Sequence, residues 1–290
     1  MRFEDVDSFF SFQRLIASTS KSNVWLAEPR STCPSGVPSC FLVIKELFLS
    51  RIVNPDHVVN ERNVLDYLTK VDFPRSPRLI GTSKNSESLF LIQTLVEGAP
   101  LHMHIPRTGL DVSRARRYFA ETLSILEFLH GNKILYRDLK LSNLVLSKGR
   151  IFIVDFGHAV FFSADNSERR RSICGTPHAM APEVQRGDEY GFACDFWSLG
   201  ILLRELLTGK TDLTPEGTEL ISRLLEEDPD KRLVSFDTIR SHQFFADCPT
   251  EWWRSRNWES TDEASSCVDD VSVGHQFIFG RNDNDVLKDF

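Results

Sequence analysis

The chain has 290 residues, 41% hydrophobic and 11% aromatic, enough to bury the core of one bilobal unit or of two domains. A formal net charge of −7 gives no basic footprint for nucleic acid or an anionic membrane. The most apolar run, FLVIKELFL, is interrupted by Lys45 and Glu46 and falls short of a membrane span.

The start MRFEDVDSFF is acidic where a secretory signal is basic, position 2 is not Gly, and no Cys lies near the C-terminus for prenylation. The expected location is therefore the cytoplasm or nucleus, with no nucleic-acid or membrane partner. The six cysteines, at 33, 40, 174, 194, 248 and 267, form no CxxC pair and read as reduced thiols.

In chain order, the first third is strand-like: FSFQRLIA, a polar turn, NVWLAE, then FLVIKELFL after the loop STCPSGVPS, and later RLIGTS and SLFLIQTLV. Between them VVNERNVLDYLTK carries apolar residues at Val58, Val59, Val64, Leu65 and Leu68, a helical period. From Asp111 helices take over. DVSRARRYFAETLSILEFLH places Tyr118, Phe119, Leu123, Leu126 and Leu129 on one face behind an Asp111 cap. CDFWSLGILLRELLTG is apolar nearly all round and predicts a buried helix ended by Gly209, and Pro215 opens the amphipathic PEGTELISRLLEED. Past His242 the chain reads as polar and irregular, with ESTDEASS a mobile tail.

The chemistry concentrates in ILYRDLKLSNLVL followed by IFIVDFGHA, where Asp138, Lys140 and Asn143 lie between two apolar strands and Asp155 follows the second. Phosphoryl transfer needs a carboxylate to orient a hydroxyl, a cation near the moving phosphate and oxygen ligands for magnesium, and these four side chains form such a set. Each alone is a turn residue as often as a functional one. RDxKxxN, a short hairpin and DFG together are far more specific than their parts.

Over most of its length the chain resembles the eukaryotic protein kinases. The resemblance implies an α+β, two-lobed fold with a small strand-rich lobe (residues 1–97), a larger helical lobe (98–246) and a C-terminal tail (247–290). It implies transfer of the ATP γ-phosphate to Ser or Thr of a protein substrate, with Asp138 as base and Lys140 on the transferred phosphate. Asn143 and Asp155 would hold Mg2+, and Lys45, paired with Glu61, would sit on the nucleotide's α and β phosphates. Val24, Val43 and Val145 would line the nucleotide, and the hinge would run from Thr94 to Val96. Ala181, Pro182 and Glu183 resemble the end of the activation segment. Arg232 resembles the structural partner of Glu183, and Asp195 marks the buried helix under the catalytic loop.

A narrower resemblance, to the cyclic-nucleotide-dependent (AGC-type) serine/threonine kinases, rests on Tyr136, the string ICGTP, ERNVL and the ending VLKDF. It implies that Ser172 is phosphorylated by an upstream activating kinase and faces Arg137. Thr176 would bond the catalytic Asp and Lys, and Ile173, Pro177 and Met180 would line the acceptor site. The hairpin LIASTSKSNVWLA aligns with the family's glycine-rich phosphate loop, but Ala17, Thr19 and Ser22 stand where the family has glycines. Glycine permits positive φ and close approach of backbone amides to phosphate, so its loss predicts a stiffer, more distant loop. Val43 in place of the usual Ala crowds the adenine slot. Between LLTGK and TPEGTEL a docking loop and helix are missing, and Ser142 replaces an acidic residue before the catalytic Asn. Two alternatives stay open: a non-catalytic kinase fold that scaffolds partners, and a small-molecule kinase, which would not be expected to carry Lys140 or the segment from DFG to APE.

Overall fold

The computed structural model describes residues 1–162, 171–208 and 214–256, the side chains of 254–256 excepted. Two compact units divide between Leu95 and Val96.

The first unit is a six-stranded sheet with one long helix. Its strands are β1 (Arg2–Phe3), β2 (Phe10–Ser18), β3 (Ser22–Pro29), β4 (Leu42–Phe48), β5 (Leu79–Lys84) and β6 (Ser88–Thr94), in the order β1-β5-β6-β4-β3-β2. The alternation read in the sequence becomes burial: Leu42 and Ile44 of β4 are inside, while Lys45 and Glu46 are only half-buried. β2 is an edge strand, and register shifts at Phe12/Arg14 and Leu15/Ala17 disrupt its ladder, a common way to blunt an open edge.

One element had no sequence signal. The N-terminal residues add β1, parallel to β5, and the short helix α1 (Val6–Phe9), capped by Asp5. Phe3, Val6 and Phe10 then pack with Ile44, Phe90 and Ile92 over the sheet. A Cβ at Gly81 would lie 2.5 Å from the Met1 carbonyl oxygen, so glycine allows the extra strand to approach. Helix α2 (Pro55–Lys70) starts where Asn54 accepts from the Asp56 amide and Pro55 supplies the first helical residue. It buries Val58, Glu61, Val64, Leu65 and Leu68.

The second unit is mainly helical. Helix α3 (Val112–Gly131) has the expected Asp111 cap, which accepts from the Arg114 amide. The short strands β7 (Ala99–Pro100), β8 (Ile134–Leu135), β9 (Leu144–Ser147), β10 (Arg150–Ile153) and β11 (Val160–Phe161) form a three-stranded and a two-stranded sheet. Helices α4 (Pro182–Arg186), α5 (Ala193–Leu206), α6 (Pro215–Leu224) and α7 (Phe236–Arg240) follow. α5 is buried as its composition predicts and ends at Leu206; the expected stop, Gly209, lies outside the described residues.

The reading of a polar, irregular chain beyond His242 is corrected for residues 243–253. Phe244 and Phe245 are buried, with Phe245 stacked on Phe119 at 5.4 Å and edge-on to Trp253 at 5.1 Å. Aromatic burial outweighs the polar residues that separate these rings in sequence. ESTDEASS, Val268 and the VLKDF ending lie outside the described residues. Among the described cysteines, Cys33, Cys174, Cys194 and Cys248 are free thiols.

Candidate active site

In the first unit, cross-strand pairing sets one face of the sheet. Val24 lies opposite Lys45, Leu26 opposite Val43, and Val43 opposite Gln93, so these five residues point the same way. Lys45 Nζ donates to Glu61 Oε1 at 2.5 Å, and the Glu61 side chain is 3% exposed. A buried helix carboxylate is tolerable only with such a partner, and in return it fixes an otherwise mobile ammonium. Thr94 is held at the sheet end, its hydroxyl accepting from the Arg78 amide at 2.9 Å and its amide donating to the Arg78 carbonyl at 3.0 Å.

The hairpin joining β2 to β3 is closed by its own side chains. Ala17 pairs with Val24 in the ladder. At the tip the Thr19 hydroxyl oxygen accepts from the amides of Lys21 (3.2 Å) and Ser22 (3.1 Å), and lies 3.0 Å from Ser22 Oγ. None of residues 17–22 has a positive φ. This turn therefore needs no glycine, and two of its backbone donors are spent internally.

In the second unit the loop between β8 and β9 converges on Asp138. Its Oδ2 accepts from Lys140 Nζ at 2.7 Å and Asn143 Nδ2 at 2.9 Å, and its Oδ1 accepts from Thr176 Oγ1 at 2.6 Å. Lys140 Nζ also donates to Thr176 Oγ1 at 2.6 Å. Asp138 is 5% exposed, so these bonds act where water competes little.

α5 holds this loop from beneath. The fully buried Asp195 accepts the Tyr136 amide on Oδ2 (2.9 Å) and the Arg137 amide on Oδ1 (2.7 Å), while His130 Nε2 lies 2.8 Å from Oδ2. Drawing two successive amides into one carboxylate puts Arg137 at φ 69°, an uncommon place for a residue with a side chain. The Tyr136 hydroxyl donates to the Val154 carbonyl at 2.6 Å and lies 3.1 Å from that of Asp155. Burial first, then the charges of Asp155 and Asp138, push the Tyr136 phenol well above its ordinary range, so it stays a donor.

Asp155 also has a left-handed backbone, φ 61°, and its exposed carboxylate accepts from the Gly157 amide at 3.2 Å. The Val154 amide donates to the Asn143 carbonyl at 2.9 Å, which ties the two expected magnesium ligands to one another through the chain. Asn143 spends its amide nitrogen on Asp138, leaving the amide oxygen as the atom that would take a cation. Hard oxygen donors from one amide and one carboxylate suit Mg2+, which takes its other ligands from water and phosphate. Among the described residues there is no cluster of three or more His, Cys, Asp or Glu that could cage a metal.

The segment Ser172–Thr176 folds over this loop. Gly175, at φ 100°, passes so close that a Cβ would lie 2.5 Å from the Arg137 carbonyl oxygen. Arg137 donates through Nη1 to Ser172 Oγ at 3.0 Å and through Nε to the His158 carbonyl at 2.6 Å. Ile173 is exposed, and Pro177 and Met180 follow in the same turn. Val145 lies in β9 opposite Phe152 and Pro100, and Val96 opens the second unit. The Arg232 guanidinium grips both oxygens of Glu183 at 2.6 and 2.9 Å, with both side chains buried.

The comparisons decide the family. A sequence model of the Protein kinase domain matches residues 33–216. The chain belongs to the protein kinase family. This kinase domain is 33% identical over 267 residues to the protein kinase C delta type of Rattus norvegicus, covering 81% of this chain and 38% of that protein. It is 34% identical over 232 residues to the serine/threonine protein kinase ypkA of Aspergillus fumigatus, covering 70% and 36%. With the RAC family serine/threonine-protein kinase homolog of Dictyostelium discoideum the identity is 33% over 229 residues, covering 70% and 49%. These relatives are AGC-type kinases, and the kinase domain spans less than half the length of each. The two-lobed α+β kinase fold follows from the family and from the strand-rich and helical units. The family match starts after β3, so the hairpin from Leu15 to Ala27 lies outside it.

Several residues that shape the site escaped sequence reasoning. His130 lies at the end of the amphipathic α3 with nothing in the sequence to single it out, yet it braces Asp195. Tyr190 contacts both Ser172 and Arg137. His178 Nε2 lies 3.4 Å from Glu205 Oε1; burial raises the Glu205 carboxyl and His178 pulls it back. Their spacing in sequence, 18 to 65 residues, carries no local signal.

Proposed function

We propose that this kinase domain transfers the γ-phosphate of ATP to serine or threonine hydroxyls of proteins. The observation that carries the reading is the buried carboxylate of Asp138 bonded by Lys140, Asn143 and Thr176. A carboxylate so restrained can orient an incoming hydroxyl and accept its proton, and Lys140 beside it is a cation for the moving phosphate. Asn143 and Asp155 would hold Mg2+, which supplies charge neutralisation on the phosphates. Lys45, fixed by Glu61, would hold the α and β phosphates, and Val24, Val43, Val145, Thr94 and Val96 would line the rest of the nucleotide. Ala17, Thr19 and Ser22 take the places of phosphate-loop glycines. Ser172 is a regulatory phosphosite for an upstream kinase, since a phosphate there meets Arg137. The setting is cytoplasmic or nuclear; among the described residues no helix is long and apolar enough to cross a membrane.

Asp138→Asn tests the reading. With its amide oxygen towards Lys140 and Asn143, the isosteric Asn turns its NH2 to Thr176 Oγ1, a hydroxyl that can accept as well as donate, so the side chain keeps its place and loses its capacity as a base. Phosphoryl transfer should fall by about 10²- to 10⁴-fold while the dissociation constant for ATP with Mg2+ is preserved. Activity within tenfold of the parent would remove Asp138 from the chemistry.

A further inference from the structure

We infer that Tyr190 is a positioning residue that latches the unmodified segment Ser172–Thr176 onto the catalytic loop. The catalytic consequence rests on the kinase reading above; the structural one does not. The Tyr190 hydroxyl donates to the Ser172 carbonyl at 2.7 Å, accepts from Arg137 Nη1 at 3.0 Å, and lies 3.0 Å from the Ser172 hydroxyl. One proton and two lone pairs serve three contacts, so the hydroxyl is fully used. Arg137 Nη1 also donates to Ser172 Oγ, closing a triangle of Arg137, Ser172 and Tyr190.

The ring and the hydroxyl have separable duties. The ring is 3% exposed and belongs to an apolar cluster with Val160, Phe162 and Val184, packing that phenylalanine would reproduce. The hydroxyl lies where polar atoms of the segment and the loop meet. Burial pushes its pKa up to about 12 against the pull of Arg137 and Ser172, which keeps the donor proton in place. The Cys174 thiol is 3.6 Å away.

The triangle lies upstream of the catalytic loop by a short mechanical route. Ser172 and Arg137 are joined directly, Gly175 sits against the Arg137 carbonyl, and Thr176 bonds both Asp138 and Lys140. Holding Ser172 therefore holds Thr176 on Asp138. A phosphate on Ser172 would strengthen a contact that the neutral Ser172 hydroxyl already makes with the Arg137 guanidinium, which is in place before any modification. The acidic residues Asp188 and Glu189 precede Tyr190, and Glu189 is bonded by Arg171 at 2.7 Å. The unmodified segment is ordered by Tyr190, and phosphorylation adds to that order without creating it.

The test is hydrogen exchange by mass spectrometry on the peptide 172–180 in the unphosphorylated full chain, with Tyr190→Phe, Ser172→Ala and the double variant. Loss of the Tyr190 hydroxyl in Tyr190→Phe should speed exchange there by about tenfold, and Ser172→Ala, which leaves the Tyr190 bond to the Ser172 carbonyl in place, should speed it less. The double variant should speed exchange by less than the product of the two single effects, because both singles break the same contact between the two hydroxyls, and exchange in α5 should be unchanged. In peptide phosphorylation, Tyr190→Phe should lower kcat about tenfold with KM for ATP unchanged, and phosphorylation of Ser172 in that variant should restore kcat. Unchanged exchange in Tyr190→Phe, full additivity in the double variant, or acceleration shared equally by α5 would each overturn the latch. If the parent chain transfers no phosphate while the exchange pattern holds, the kinase reading fails and the latch stands. A parent that transfers phosphate, with Tyr190→Phe exchanging as the parent does, leaves the kinase reading intact and removes the latch.

Discussion

The hairpin tip permits a quantitative prediction for Ala17→Gly, Thr19→Gly, Ser22→Gly. In the parent, Thr19 Oγ1 occupies the amides of Lys21 and Ser22 at 3.2 and 3.1 Å. Removing that side chain releases two backbone donors, and removing three Cβ atoms lets them approach a phosphate. A hydrogen bond to a charged group contributes about 1.5–3 kcal/mol, so two contribute roughly 3–6 kcal/mol. Three glycines in an otherwise ordered turn cost about 0.5–1 kcal/mol each, roughly 1.5–3 kcal/mol together. At the centres of these ranges the donors win by about 2 kcal/mol, and ATP should bind about 30-fold more tightly. Adenosine lacks phosphates, so its dissociation constant should move by less than about twofold. Calorimetry with Mg2+ present measures both ligands. Equal tightening of ATP and adenosine would mean that the change acts through general loop stability, and an unchanged ATP affinity would refute the role given to the Thr19 cap.

Other outcomes follow from the same geometry. Arg232→Ala should cost about 3–5 kcal/mol in guanidinium denaturation because it strands the buried Glu183 carboxylate, whereas breaking the exposed Arg186–Asp188 pair should leave the denaturation midpoint nearly unchanged; equal costs would contradict the burial argument. Glu61→Gln removes the charge that fixes Lys45, and kcat/KM for ATP should fall by about 10- to 100-fold, the equivalent of one charged hydrogen bond; parent-like kinetics would remove the pair from nucleotide positioning. Tyr136 and Tyr190 are held above the ordinary tyrosine pKa of 10, Tyr190 at about 12. The unfolded chain releases these protons near pH 10 and the folded chain keeps them, so stability should fall as pH rises from 10 towards 12 and be unaffected by them below that window. Absorbance titration of the phenols should show a late-ionising group that Tyr190→Phe removes; no loss of a late transition would contradict the assignment.

The strands and helices were legible where burial follows period. Leu42 and Ile44 alternate with half-buried residues, and the α3 face runs from Phe119 to Leu129 behind a cap with a known side-chain chemistry. The candidate site was legible as a linear motif because Asp138, Lys140 and Asn143 are bonded to one another within one loop. Contacts between distant segments were not. β1 is two residues long and depends on the missing side chain of Gly81, which reads in sequence only as a glycine in a strand. Phe244 and Phe245 looked isolated among polar residues until Phe119 and Trp253 closed around them. Thr19 illustrates a subtler miss: the absence of glycine was visible, but not that its hydroxyl takes over the amides glycine would have left open.

The most direct test of the central claim is transfer of label from γ-labelled ATP, with Mg2+, to peptide libraries bearing Ser and Thr or Tyr as the only acceptor. Incorporation into Ser and Thr peptides should require Mg2+ and be lost in Asp138→Asn, with little into Tyr peptides. ATP binding without incorporation into any hydroxyl would contradict that claim.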